Sequence, residues 1–417
     1  MDNPADHTIV HIMTHDQDIL IVGGGLNGPA LALALAKSGF RVGVIDALPI
    51  DTRKDPDFDG RAYALALASQ RLLKAIGIWQ SVAELAQPML EIKVTDGRAG
   101  EGASPWMLHF DHAEIEEGPM GYMLEDRHLR RAFLDALETD AHITQYPQET
   151  VVAQHTDAHG VRVTLASGKT LTAKLLVGCD GRASGTAERA GIRRTGWGYG
   201  QTGIVCAVEH EKPHNGIAHQ FFMPNGPLAI LPLKGNRCSI VWSETDARAA
   251  ACMKMTDDEF LNVLKPAFGS FLGEIKLAGA RFAYPLNLTL ANSFIGQRIA
   301  LVGDAAHGMH PIAGQGLNAG LRDIAALAEV LGEAKQHGED YGNAIVLGRY
   351  QQWRRFDTAS LAVATDTFNK LFSNDNPLLR AVRGIGMGLI NAAPALRRNF
   401  IREAAGLTGD LPKLMRG

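Results

Sequence analysis

Four short aliphatic runs, at residues 18–22, 41–45, 175–178 and 298–302, lack the polar alternation of a half-exposed strand. Each reads as a strand covered on both faces, as in a parallel sheet sandwiched by helices. Helical patterns follow at 26–38 and 64–76, another opens at 125–129, and an Ala-rich one begins near residue 316. From 194 to about 284 the texture changes. Short segments at 205–208, 218–222, 228–233 and 238–242 are split by turns such as Met223-Pro224-Asn225-Gly226, which predicts antiparallel strands. The pattern therefore predicts an α/β chain with an antiparallel layer inserted into a discontinuous parallel fold.

Two of the strands end in chemistry. After residues 18–22 comes Gly23-x-Gly25-x-x-Gly28, then a helix, a second strand and Asp46. In this order the first glycine permits the tight turn, and the second lets backbone approach a pyrophosphate. The third lets the helix pack closely, and the acid can bind a ribose hydroxyl. The signature is Rossmann-like and does not distinguish FAD from NAD. The late strand ends in Gly303-Asp304-Ala305-Ala306-His307 and runs through His310-Pro311-Ile312-Ala313-Gly314-Gln315-Gly316-Leu317-Asn318 into a helix. A carboxylate at a strand's C-terminal end can accept a polyol hydroxyl, and the helix N-terminus favours an anion. Together they predict a sugar-linked cofactor that becomes negatively charged. That decides for FAD.

Composition narrows the rest. In 417 residues, 41 Lys and Arg face 45 Asp and Glu, so no basic field argues for nucleic acid. The four cysteines show no CxxC pair or metal-ligand spacing, which fits a reduced cytoplasmic protein. His307 and His310 lack a third ligand by spacing, so no metal site is assigned. Residues 1–17 hold three aspartates and no Lys or Arg, unlike a signal or transit peptide. They read as a flexible leader, His7, His11 and His15 notwithstanding. No apolar run reaches the roughly 20 residues of a membrane span.

The wording HxxHPxAGQGLN at 307–318, with the early glycine motif, resembles the FAD-dependent aromatic hydroxylases (class A flavoprotein monooxygenases), most closely their ubiquinone-biosynthesis branch. The resemblance covers nearly the whole chain after residue 17. It implies noncovalent FAD held by Gly23, Gly25, Gly28, Asp46, Arg61, Arg127, Asp304, Gly316, Leu317 and Asn318. Arg61 and Arg127 would reach the phosphates, a task that suits a guanidinium. Pro311 and Gly314 would line the oxygen side of the flavin, with no side-chain base assigned. The resemblance further implies O₂ chemistry through a flavin C4a-hydroperoxide that hydroxylates the ring of a polyprenylated phenol. NAD(P)H or a protein donor would be the reductant. Asp180-Gly181-Arg182-Ala183-Ser184 resembles the family's DGxxS motif, but Ala187 stands where the family usually has arginine. No second GxGxxG follows a strand, so a separate nicotinamide domain is not expected, and the WxWxIP motif of flavin halogenases is missing.

The expected domains are a leader (1–17), an FAD-binding domain (18–75, 106–193 and 285–360), a substrate domain (76–105 and 194–284) and a C-terminal helical region (361–417). From 377 to 417, seven basic residues face two acidic ones among interleaved apolar positions. Such a segment reads as a peripheral contact, at the inner face of a membrane or in a biosynthetic complex, or as a helix pair packed on the FAD domain. Two other functions stay open on sequence: hydroxylation of a small soluble phenol, and a non-catalytic flavoprotein that organises a complex.

Overall fold

The computed structural model describes residues 15–96, 107–309, 315–372, 390–391 and 393–417. Its parallel sheet runs Ile299–Leu301, Leu175–Gly178, Ile19–Val22, Val42–Asp46, Ile143–Pro147, with Ile295–Gly296 antiparallel on the outer edge. Ile19–Val22 lies at the centre and is buried throughout, because helices cover both faces and leave no place for alternating polar residues. The Asn27–Lys37 helix is buried from Gly28 to Ala36 and packs against the Gln315–Gln336 helix. The early glycine motif and the late helix are thus direct neighbours.

The inserted sheet has nine described strands, with Arg194–His210, Arg237–Thr245, Gly226–Leu233 and Ile217–Met223 as its antiparallel centre. Glu91–Asp96 then joins Ile217–Met223 in parallel, a connection the antiparallel expectation did not contain. Met107–Asp111, Phe282–Ala291 and His307–Gly308 also belong to this sheet. They come wholly or largely from stretches that the sequence assigned to the dinucleotide fold. The Asp246–Lys254 and Asp257–Phe268 helices cover one face, where Ile204, Cys206, Leu228, Ile230, Ile240 and Trp242 form a dry core.

Two expectations need correction. Residues 64–66 are not helical: Ala62–Ala66 is a strand paired with Gly121–Glu125, and the helix starts at Leu67. The cross-strand partner overrides the helix propensity of its alanines. Gln17 was placed in the leader, yet it is 7% exposed, with its side chain on Thr144 and its amide on the Thr172 carbonyl. Residues 1–14 lie outside the described residues.

The C-terminal segment bears on the two readings left open for it. Ile401, Ala405 and Met415 are buried in the FAD-domain core, and the Ala68 amide donates to the Ala405 carbonyl at 3.1 Å. Three of its five described basic residues find partners on the body. Arg397 pairs with Glu114 at 2.8 Å, Arg402 with Glu117, and Lys413 with Glu329 and Glu333. Residues 394–417 are thus packed on the body at these points, while Leu396, Arg398 and Phe400 stay exposed. Arg380 and Arg383 lie outside the described residues.

Candidate cofactor and substrate site

The glycines of the first motif divide their work. Gly23, at φ +108°, has no room for a side chain, since a Cβ would collide with the Cys179 carbonyl. A Cβ on Gly28 would strike the Gly23 carbonyl. Gly25 is different: it is exposed, and a Cβ there would meet nothing within 4 Å. Two glycines lock the turn, and the middle one leaves space over its backbone where a diphosphate can approach. Asp46 ends its strand facing this loop, with one oxygen accepting the Gly24 amide at 2.6 Å and the other accepting Leu48 N at 2.8 Å.

Sequence reasoning missed Arg53. Its guanidinium is buried 3.6 Å from Asp46 and donates to the Gly24 carbonyl at 3.3 Å. Its Nε has no hydrogen-bond partner. Burial first, and nearby Arg130 as well, pull its pKa below the ordinary value against the pull of Asp46. A buried cation so poorly compensated fits a neighbouring anion such as a diphosphate. No signal pointed to it, because Asp51-Thr52-Arg53-Lys54-Asp55 reads as a solvated loop.

The two arginines assigned from resemblance stand in one charged cluster. Arg61 pairs with Asp59 at 2.6 Å and Asp126 at 3.4 Å, and lies 5.8 Å from the Phe282 ring. Arg127 donates to Glu125 and to the Pro56 carbonyl, both at 2.8 Å, and stacks on Phe58. Arg237 of the inserted sheet reaches the same Glu125 at 2.7 Å and stacks on the same ring. Arg237 thus joins the sheet to the cofactor fold through the carboxylate and ring that Arg127 also engages. Tyr63 donates to Asp126 at 3.1 Å, and burial first, then that carboxylate, pushes its phenol well above the usual range.

The late motif lies beside the first, with Gly303 and Gly320 against Asn27. Asp304 sits on a turn at the end of Ile299–Leu301, its side chain 40% exposed and paired with Arg182 at 3.2 Å. Arg182 also donates to Asn287 at 2.8 Å and to the Met309 carbonyl at 3.0 Å. Gly316 leaves open space where a Cβ would stand. Leu317 is partly buried against the core. Asn318 acts through its side chain as a clamp, accepting from Ala66 N at 2.9 Å and Ser69 Oγ at 2.7 Å and donating to the Ala64 carbonyl at 2.8 Å. It ties the late helix to the 62–66 strand. Pro311 and Gly314, with His310 and Ala313, lie outside the described residues.

In the DGxxS motif, Ser184 donates to Asp180 at 2.5 Å and accepts from the Ala187 amide at 3.0 Å, capping the Gly185–Arg189 helix. Ala187 is fully buried, so the arginine usual at that position has no room here. The residues present fit FAD: open backbone at Gly25 and Gly316, a buried guanidinium beside Asp46, and a half-exposed carboxylate at Asp304.

Comparison with known proteins decides the family. The model for the FAD binding domain matches residues 16–355. The chain belongs to this family. Among curated relatives, ubiquinone hydroxylase UbiL of Rhodospirillum rubrum is 45% identical over 96% of this chain and 92% of that protein. The 3-demethoxyubiquinol 3-hydroxylase of Escherichia coli is 36% identical over 94% of this chain and 98% of its own. These relatives place the chain in the ubiquinone-biosynthesis branch of the FAD-dependent hydroxylases, and it is an FAD-dependent monooxygenase. In fold it is similar to p-nitrophenol 4-monooxygenase PnpA of Pseudomonas putida, at TM-score 0.78 and 20% identity, over 94% of this chain and 98% of that one.

In this flavoprotein the second face of the inserted sheet turns toward the cofactor residues. Cross-strand register puts Val205 beside Val241 and Phe282, Val241 beside Ala229, and Gly203 beside Tyr284, with Leu231 next on the same face. Arg61 lies against Phe282, and Leu231, Phe58 and Ala64 pack against one cluster that includes Met123, Ala207 and Leu233. Unlike the dry opposite face, Val205, Ala229, Leu231, Val241 and Phe282 are half-buried and Tyr284 is exposed. No helix among the described residues is long and apolar enough to cross a membrane.

Proposed function

We propose that this protein hydroxylates the aromatic ring of a polyprenylated phenol in ubiquinone biosynthesis. The carrying observation is the half-exposed sheet face of Val205, Ala229, Leu231, Val241, Phe282 and Tyr284, opposite the cofactor residues. None of these six side chains is charged at neutral pH. A small soluble phenol needs polar groups to fix it in a pocket. A prenylated ring gains from apolar wall, about 0.8 kcal/mol for each buried CH₂. The names of the relatives support the same substrate class.

Bound noncovalently, FAD would supply the oxygen-activating redox chemistry, with NAD(P)H or a protein donor as its reductant. The chain's own residues bind, orient and shield. Gly23, Gly25, Gly28 and Arg53 would take the diphosphate, Asp46 the ribose, and Asp304 the ribityl chain. The backbone N–H groups at Gly316, Leu317 and Asn318 would offer a helix N-terminus to the negative charge that the flavin gains on reduction. The apolar sheet excludes water from the reacting ring and positions it.

The deciding experiment supplies purified holoenzyme with reductant, O₂ and matched phenols, with and without a prenyl tail. A gain of one oxygen on the prenylated compound, at higher kcat/KM than on the tail-less one, is expected. Faster turnover of the tail-less phenol would sink the substrate assignment. Reductant consumption without hydroxylated product would sink the reaction.

A further inference from the structure

The turn that presents Asp304 is held by a buried ion network outside the residues assigned so far. Asp323, on the Gln315–Gln336 helix, is fully buried, as is the side chain of His307. One oxygen of Asp323 accepts two hydrogen bonds, from the Gly303 amide at 3.0 Å and from His307 Nε2 at 2.6 Å. These donors stand at the two ends of the 303–307 turn, with Asp304 between them. The other oxygen accepts Arg354 Nε at 2.8 Å. The chain continues outward. Arg354 donates to Asp357 at 2.7 Å, Arg322 lies 3.7 Å from the same carboxylate, and Arg322 donates to the Gly406 carbonyl at 2.7 Å.

A lone buried carboxylate would protonate or draw in water. Here His307 and Arg354 hold Asp323 below its ordinary pKa despite burial, the largest opposing influence. The ionised form is what can accept both bonds on one oxygen. Removing either donor frees one end of the turn and lets Asp304 swing relative to the ribityl chain.

We infer that Asp323 and His307 are positioning residues for the flavin: they clamp the Gly303–His307 turn so that Asp304 is presented correctly, and Arg354, Asp357 and Arg322 link that clamp to the C-terminal segment. The inference rests on the cofactor reading above. His307 separates clamp from filler, because a glutamine can place an N–H where Nε2 stands and a leucine cannot.

The experiment titrates FAD into apoprotein of wild type, His307→Gln and His307→Leu well below their melting temperatures, following flavin fluorescence and visible circular dichroism. His307→Gln should keep a Kd within about 1.5-fold of wild type and the same dichroic spectrum. His307→Leu should raise the Kd about fivefold, as loss of Asp304 itself would, and alter the spectrum. Equal affinities for wild type and His307→Leu, or equal losses for Gln and Leu, would overturn the positioning role alone. Wild-type apoprotein that takes up no FAD would overturn the cofactor reading with it. Should His307→Leu fail to fold, Asp323→Asn with Arg354→Gln removes the charges as a pair. The same roughly fivefold loss is then expected, and wild-type affinity would overturn the role.

Discussion

The two halves of the flavin site are held by different means. In the first, backbone meets backbone: Gly23 lies under the Cys179 carbonyl, Gly28 lies under Gly23, and Asp46 accepts the Gly24 amide. Apart from Cys179, the parts lie within about one βαβ unit, and any side chain at the two locking glycines would be a collision. In the second half, the Gly303–His307 turn is held by side chains from two helices, backed by a carbonyl about 100 residues downstream. A turn built by sterics needs nothing more than its own glycines. One built by buried charge depends on everything that keeps the charges paired.

The largest effect is expected where that dependence is longest. Ending the chain after Ala393 removes Ile401 and Met415 from the core and the Gly406 carbonyl from Arg322. Burying each such side chain is worth about 1.5–3 kcal/mol. The loss, on the order of 5 kcal/mol, rivals the whole stability of many domains. We expect aggregation or a flavin-free product; a soluble truncated protein with full flavin content would show that the second half stands without its tail. Next comes the first half itself. Gly28→Ala forces a methyl into the Gly23 carbonyl, at a cost of about 3 kcal/mol from overpacking. Melting should fall and flavin be lost together, whereas an unchanged Tm would mean that the turn is less rigid than its contacts imply.

The same contrast explains what was legible in the sequence. The Gly23, Gly25, Gly28 and Asp46 spacing and the buried strands follow from local constraints, and the folded chain holds them where the pattern put them. The antiparallel insert was legible from its turns, but the parallel contact of Glu91–Asp96 was not, since nothing in either strand names its partner. Arg53, the Asp323 clamp and the docked tail were invisible for one reason. Each is a charged residue among charged residues, whose meaning depends on a partner brought by the fold. The basic C-terminus stayed open in the same way, because charges without their partners fit a membrane surface and a packed helix alike.

A third substitution separates fold from function in the late half. Gly316 has open space around it, so Gly316→Val should fold normally and fill room the flavin ring needs. Displacing a reacting group by about 1 Å can cost on the order of 100-fold in rate. We expect turnover to fall by about that factor while the apoprotein melts as wild type. Normal turnover would show that the ring lies elsewhere. A drop in apoprotein stability would mean that this glycine, like Gly28, is steric.

The smallest effect belongs to Asp304, and it tests how far the charged half tolerates a loss. Were this carboxylate buried, its removal would strip a strong hydrogen bond from the ribityl chain, about 1.5–3 kcal/mol. Its side chain is instead 40% exposed and paired with Arg182, itself 38% exposed. Solvent screens such a group, and exposed ion pairs contribute about 0–1 kcal/mol. Asp304→Ala should therefore weaken FAD binding by about 1 kcal/mol, or roughly fivefold in Kd. Equilibrium titration of the apoprotein reads this directly. A loss of 100-fold or more would mean that the flavin, once bound, closes this carboxylate off from water and makes the late half as unforgiving as the early one. No loss after exhaustive dialysis would remove Asp304 from the site and leave the clamp on Gly303 and His307 without the residue it serves.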